Sequence, residues 1–194
     1  LEASGLPVLD LERMAGHRGS VFGHIGKGKP ANQKMFDGRL FETLRRLKDA
    51  PYFVMEAESR RIGNALLPPF LLQAKEQAVH ILLTAPLEVR VQRLYDEYVT
   101  PFSWRPDFAE KIKDAYLKIA RRIPTAQAKL LTEALQAGDY RQAIASLLVH
   151  YYDPRYQNKQ RDYVTEIHEC VDAADLEAAG KSIQALIEKY LPVR

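Results

Sequence analysis

The sequence predicts an α/β fold in which helices cover a parallel sheet, and three observations predict it. Short apolar runs read as buried strands: "LPVLDL" (6–11), "YFVME" (52–56), "VHILLT" (79–84) and, with an alternating pattern, "DYVTEIHE" (162–169). Amphipathic helical stretches separate these runs, giving the β-α-β-α rhythm of a parallel sheet. From residue 104 to about 150 the strands stop and the periodicity is helical, which predicts an all-helical insert.

The helices follow from spacing and punctuation. "NQKMFDGRLFETLRRL" puts Met35, Phe36, Leu40, Leu44 and Leu47 on one face. "PLEVRVQRLYDEYV" opens with Pro86 at the first helical position and repeats Val89, Val91, Leu94 and Tyr98. In the insert, "DFAEKIKDAYLKIARRI" is followed by "TAQAKLLTEALQAG", closed by Gly138, and by "DYRQAIASLLVHYY", opened by Asp139 as N-cap. "DPRYQNK" reads as a turn-rich connector to the last strand, and "DLEAAGKSIQALIEKYL" as the final helix. The expected divisions are an α/β region at 1–103, the insert at 104–152, and a returning strand and helix at 153–194.

Composition narrows the class. The 194 residues are 46% hydrophobic, enough for a real core and too apolar for a disordered chain. A net charge of +3 permits an anionic partner without demanding one. The single cysteine, Cys170, excludes a disulfide framework and a multi-thiolate zinc site, and it is expected to be a buried or inert thiol. No stretch resembles a signal peptide or membrane span, so a cytoplasmic setting is expected. The chain opens at Leu1 in "LEASGLPVLDLE", a helix end running into a strand, and a longer upstream sequence is expected.

"GHIGKGKP" (23–30) nearly spells a phosphate-binding loop, but the preceding "ERMAGHRGSVF" is unlike a buried strand. Pro30 also replaces the hydroxyl residue that binds magnesium and lacks an N–H for phosphate. It reads as a mobile basic loop in which Lys27 and Lys29 act only as point charges. The stretch before it carries more chemistry. Asp10 and Glu12 emerge where a strand ends, at the edge where open α/β sheets bind ligands, and His17, Arg18 and Ser20 follow. The structural alternative is that Asp10 caps a helix and Arg18 is a solvated charge. "YFVMEAESRRIG" likewise ends a strand in Glu56 and Glu58, then Ser59, Arg60 and Arg61; arginine forks suit phosphate groups, which accept bidentate hydrogen bonds. The alternative there is a surface ion-pair cluster.

Arg90 and Arg93 share a helix face; "APLEVRVQRL" resembles the stretch of small P-loop kinases that supplies arginines toward the transferred phosphoryl group, and the alternative is a salt bridge from Arg90 or Arg93 to Glu97. The insert carries Trp104, Arg105, Lys111, Lys113, Lys118, Arg121 and Arg122 with Phe102, Phe108 and Tyr116 between them. That pattern is either an RNA-binding face or core aromatics beside solvated lysines. No metal-ligand cluster is apparent.

"DLERMAGHRGSVFG", "VMEAESRRIGNALLP", "TAPLEVRVQRLYDEYV" and "YYDPRY", in this order and spacing, resemble the C-terminal region of the bacterial tRNA 2-selenouridine synthase family. The resemblance runs from about residue 7 to about residue 156. It implies an incomplete P-loop (kinase-like) three-layer parallel sheet lacking its first strand and phosphate loop, with the all-helical insert attached. In that family a rhodanese-like domain with a catalytic cysteine comes first, and Cys170 matches none of its motifs. The family acts on 2-thiouridine at the tRNA wobble position, attaching a geranyl group from geranyl diphosphate and then replacing the geranylated sulfur with selenium from selenophosphate. The resemblance therefore implies tRNA, the missing N-terminal rhodanese-like domain and the phosphate-loop segment as partners. It leaves magnesium open and expects this piece to be inactive alone. Asp10, His17, Arg18, Ser20, Glu56, Glu58, Ser59, Arg60, Arg61, Arg90 and Arg93 are its substrate- and phosphate-binding candidates. The competing classes are a small-molecule kinase or NTPase of the P-loop group and a non-catalytic RNA-binding module.

Overall fold

The computed structural model describes residues 1–162 and 168–191, the side chains of 158–162 excepted. The chain divides into two compact units, Leu1–Lys75 and Glu76–Arg194.

In the first unit, β1 (Val8–Leu9) and β2 (Val54–Met55) pair in parallel, with Val8 opposite Val54 and Leu9 opposite Met55. Asp10 then caps the short helix α1 (Leu11–Ala15), accepting the Arg13 N–H at 2.8 Å. Helix α2 (Gln33–Arg46) is capped by Asn32 and buries Phe36 and Leu40. Met35, expected on that face, is 48% exposed, because the buried stripe is the narrower one through Phe36, Leu40, Leu44 and Leu47.

A hairpin of β3 (Arg61–Ile62) and β4 (Ala65–Leu66) turns at Gly63, whose φ of 56° favours glycine. The Gln33 amide ties it to α2, donating to Leu66 O at 3.0 Å and accepting from Leu66 N at 2.8 Å. Helix α3 (Pro69–Glu76) follows. The core joins Leu9, Leu11, Met14, Phe36, Leu40, Ile62, Leu67 and Leu71. Burying each such side chain stabilises the unit by about 1.5–3 kcal/mol before entropy is counted.

In the second unit β5 (Ile81–Thr84) and β6 (Glu169–Asp172) pair in parallel, from Ile81 opposite Glu169 to Thr84 opposite Asp172. The expected strand at 162–169 is thus corrected. Asp162 ends a helix, residues 163–167 lie outside the described residues, and the strand is "ECVD", where Val171 packs with Ala179 and Ile183. "VHILLT" is not fully buried, since Leu83 is 52% exposed: β6 pairs with β5 and the packed face is set by Ile81 and Val171 against the last helix. Cys170, expected to be buried or inert, is exposed, because its neighbour Val171 takes the inward position on the strand.

Helix α4 (Leu87–Tyr98) begins after Pro86, which stands at the N-cap, one residue before the expected position. The insert holds α5 (Phe108–Leu117), a 3₁₀ turn (Ala120–Arg122), α6 (Thr125–Gln136) and α7 (Tyr140–Leu147). Gly138 lies at φ 72° after α6, and the Asp139 cap accepts from Gln142 N at 3.0 Å, as the sequence predicts. A π-helical turn (Leu148–Tyr152) runs directly into α8 (Asp153–Asp162). The expected connector "DPRYQNK" is therefore helical: it continues from the π-helical turn, where the Asp153 N–H donates to Leu148 O and the regular ladder is already interrupted just before Pro154. Helix α9 (Leu176–Tyr190), capped by Asp175, closes the chain.

Candidate functional site

The site is built at the carboxyl ends of β1 and β2. Where β1 ends, Asp10 turns its carboxylate to the α1 backbone and to Arg13 Nε at 3.4 Å, so it is structural. Where β2 ends, half-buried Glu56 accepts the Leu11 N–H at 3.0 Å, tying the second strand to the start of α1. Burial holds the Glu56 carboxyl above its ordinary value, helped by the negative charge of Asp10, while the Leu11 bond opposes it.

Beyond the strands the chain forms a glycine-floored surface. The His17 ring lies between Gly23 and Gly63: a Cβ at Gly23 would stand 2.8 Å from Cε1, and one at Gly63 would stand 2.8 Å from Cγ. His17 Nδ1 is buried and has no hydrogen-bond partner among the described residues. Protonating Nδ1 would bury an unsatisfied donor, so the neutral tautomer carrying its proton on Nε2 is favoured. Burial lowers the His17 pKa, the positive charges of His24 and Arg18 lower it further, and Glu58 raises it.

The Glu58 carboxylate lies against Gly19, leaving no room there for a Cβ. Lys75 Nζ donates to Glu58 O at 2.9 Å, and Ser59 Oγ donates to Arg61 O at 3.1 Å. Arg18 turns inward, with Nη1 donating to Ile25 O at 2.8 Å, and half-buried Ser20 accepts the Gly23 N–H on its carbonyl at 2.9 Å. Arg60 and Arg61 are exposed.

The structure thus brings Asp10, His17, Glu56, Glu58 and Ser59 together and leaves Arg60 and Arg61 as the outward cations. "GHIGKGKP" is not loose throughout: Gly23 and Ile25 are buried, and only Lys27, Gly28 and Lys29 form an exposed tip. Sequence reasoning missed Gly19, Gly63 and Lys75. "IGNA" did carry a signal, since Gly-Asn between two apolar residues marks a tight hairpin.

In the second unit the two arginines have structural partners. Arg90 forms a bidentate pair with Asp153 at 2.7 and 2.9 Å, and Arg93 donates to Ala174 O at 2.8 Å. Of the insert aromatics, Phe108 and Tyr116 are core, with the Tyr116 hydroxyl 3.0 Å from Ala128 O. Trp104 is 77% exposed and pinned through Nε1 to Pro101 O, and Lys111 pairs with Asp107 at 2.7 Å. Among the described residues no group of three or more His, Cys, Asp and Glu side chains could hold a metal ion, and no helix is long and apolar enough to cross a membrane.

The first unit is an α/β unit with acidic groups at the carboxyl ends of its paired parallel strands. Sequence comparison identifies the family: the family model described as the tRNA 2-selenouridine synthase AAA domain matches residues 3–185, and the chain belongs to that family. A relative named tRNA 2-selenouridine synthase from Bordetella bronchiseptica is 37% identical over 172 residues, 76% of this chain and 46% of the relative. One of the same name from Shewanella loihica is 34% identical over 173 residues, 77% of this chain and 46% of the relative. The chain thus spans about half the length of the curated relatives it matches. No solved structure matches the chain.

Proposed function

We propose that this chain is the substrate-handling part of an enzyme that converts 2-thiouridine at the tRNA wobble position to 2-selenouridine through a geranylated intermediate. The carboxyl edge of β1 and β2 receives the diphosphate of geranyl diphosphate or a phosphate of the tRNA. The observation that carries this reading is the juxtaposition of neutral His17 and Glu58 on a glycine floor beside the exposed Arg60 and Arg61.

The glycines at 23 and 63 let the His17 ring seat against the backbone, and paired guanidinium forks match two anionic oxygens at once. When the thiouridine sulfur attacks C1 of the geranyl chain, an S–C bond forms, a C–O bond breaks and diphosphate leaves with added negative charge. Arg60 and Arg61 stabilise that charge most as it develops. A neutral His17 offers Nε2–H to a phosphate oxygen. Selenophosphate is the selenium donor of the second stage, which needs the rhodanese-like cysteine that the family resemblance implies elsewhere.

The test is nucleoside analysis of tRNA treated with the full-length enzyme and its Arg60→Ala/Arg61→Ala variant. The reading predicts loss of both the geranylated and the selenated nucleoside; wild-type levels of both in the variant contradict it.

A further inference from the structure

We propose that the aromatic cluster at the junction of the π-helical turn and α8 is a binding site for an unpaired RNA base, which stacks on the ring of Tyr156. The proposal rests on the reading that this protein handles tRNA and adds a site in the second unit which that reading does not use.

The cluster is built outward from the core. Tyr151 is 4% exposed and anchors it; Tyr152 meets Tyr151 edge-on at 5.0 Å; Tyr156, one helical turn on, lies 24° from parallel to Tyr152 at 6.4 Å. Tyr156 is 58% exposed although its helix, "DPRYQNKQRD", is otherwise strongly polar. The π-helical turn sets this arrangement by shifting the phase of the chain just before α8, a distortion that recurs at functional sites.

The surrounding charge favours a nucleic acid. Asp153, the acidic group at the start of α8, is neutralised by the bidentate bond to Arg90. Arg155 lies with Cζ 5.0 Å from the Tyr151 ring and stays exposed. An exposed aromatic plane backed by a second ring, with a guanidinium beside it, is how proteins hold a splayed base and its adjoining phosphate.

The test is fluorescence anisotropy of a short labelled uridine-rich single strand on the full-length protein and on Tyr156 variants, each checked by thermal melting. Tyr156→Ala and Tyr156→Leu weaken binding by about 5-fold or more, while Tyr156→Phe stays within about 2-fold of wild type. The slope against salt is unchanged in all three and shallower in Arg155→Gln, since the ring touches no phosphate. Wild-type affinity in Tyr156→Leu, or no binding of the strand by the wild type, overturns the proposal. So does loss of geranyl diphosphate binding in Tyr156→Leu with RNA binding intact, which would assign the ring to the prenyl chain. None of these outcomes touches the Arg60 and Arg61 result, so the two readings fail separately.

Discussion

The His17 ring stands directly against Gly63, where an added Cβ would come 2.8 Å from the imidazole Cγ. Gly63 also has φ 56°, so Gly63→Ala is opposed twice. The left-handed backbone costs about 1–2 kcal/mol for a residue with a side chain, and displacing a packed ring adds about 1–3 kcal/mol. Chemical denaturation should show Gly63→Ala destabilised by about 2–5 kcal/mol on those two grounds. Gly28→Ala, where a Cβ meets nothing within 4 Å, should stay within about 0.5 kcal/mol of wild type.

His17 titrates below its ordinary value of 6.5 because protonation is opposed by burial and by His24 and Arg18. The native state therefore binds fewer protons than the unfolded state in the window beneath 6.5, so stability falls as pH drops through it. Glu58 is the neighbour that raises this pKa, so Glu58→Gln should lower it further. Histidine NMR titration checks both statements, and an upward shift in Glu58→Gln contradicts them.

Glu56 has the opposite sign. Its folded pKa lies above the ordinary 4.5, so the native state binds more protons and stability falls as pH rises from 4.5 through the folded value. Gln at this position keeps an acceptor for the Leu11 N–H and removes the buried charge. Glu56→Gln should be no less stable than wild type at pH 7, by thermal melting, and should lose this fall in stability with pH.

Much of this arrangement was legible in the sequence. The strands β1 and β2 and the position of Glu56 followed from apolar runs that end in carboxylates, and the caps at Asp139 and Gly138 followed from turn chemistry. What stayed hidden depended on tertiary contacts. The glycine floor under His17 needs residues 23 and 63 brought to one ring, and local pattern does not state that. Helix α8 was hidden because its polar sequence has no apolar stripe, and its start is fixed instead by the Arg90–Asp153 pair.

That pair makes its own prediction. Its two side chains are 33% and 28% exposed, so solvent screens part of the attraction. A double-mutant cycle with Arg90→Lys and Asp153→Asn should give a coupling of about 1–2 kcal/mol, the range for a partly buried bidentate bond. Arg90→Lys alone should lose much of it, because an ammonium cannot span both carboxylate oxygens.

The central claim is that Arg60 and Arg61 bind a diphosphate beside His17. Calorimetric titration of geranyl diphosphate into the full-length protein and its Arg60→Ala/Arg61→Ala variant tests it most directly. With each charged hydrogen bond contributing about 1.5–3 kcal/mol, the account predicts affinity at least about 100-fold weaker in the variant with an unchanged melting temperature. Equal affinity in the two proteins would contradict it.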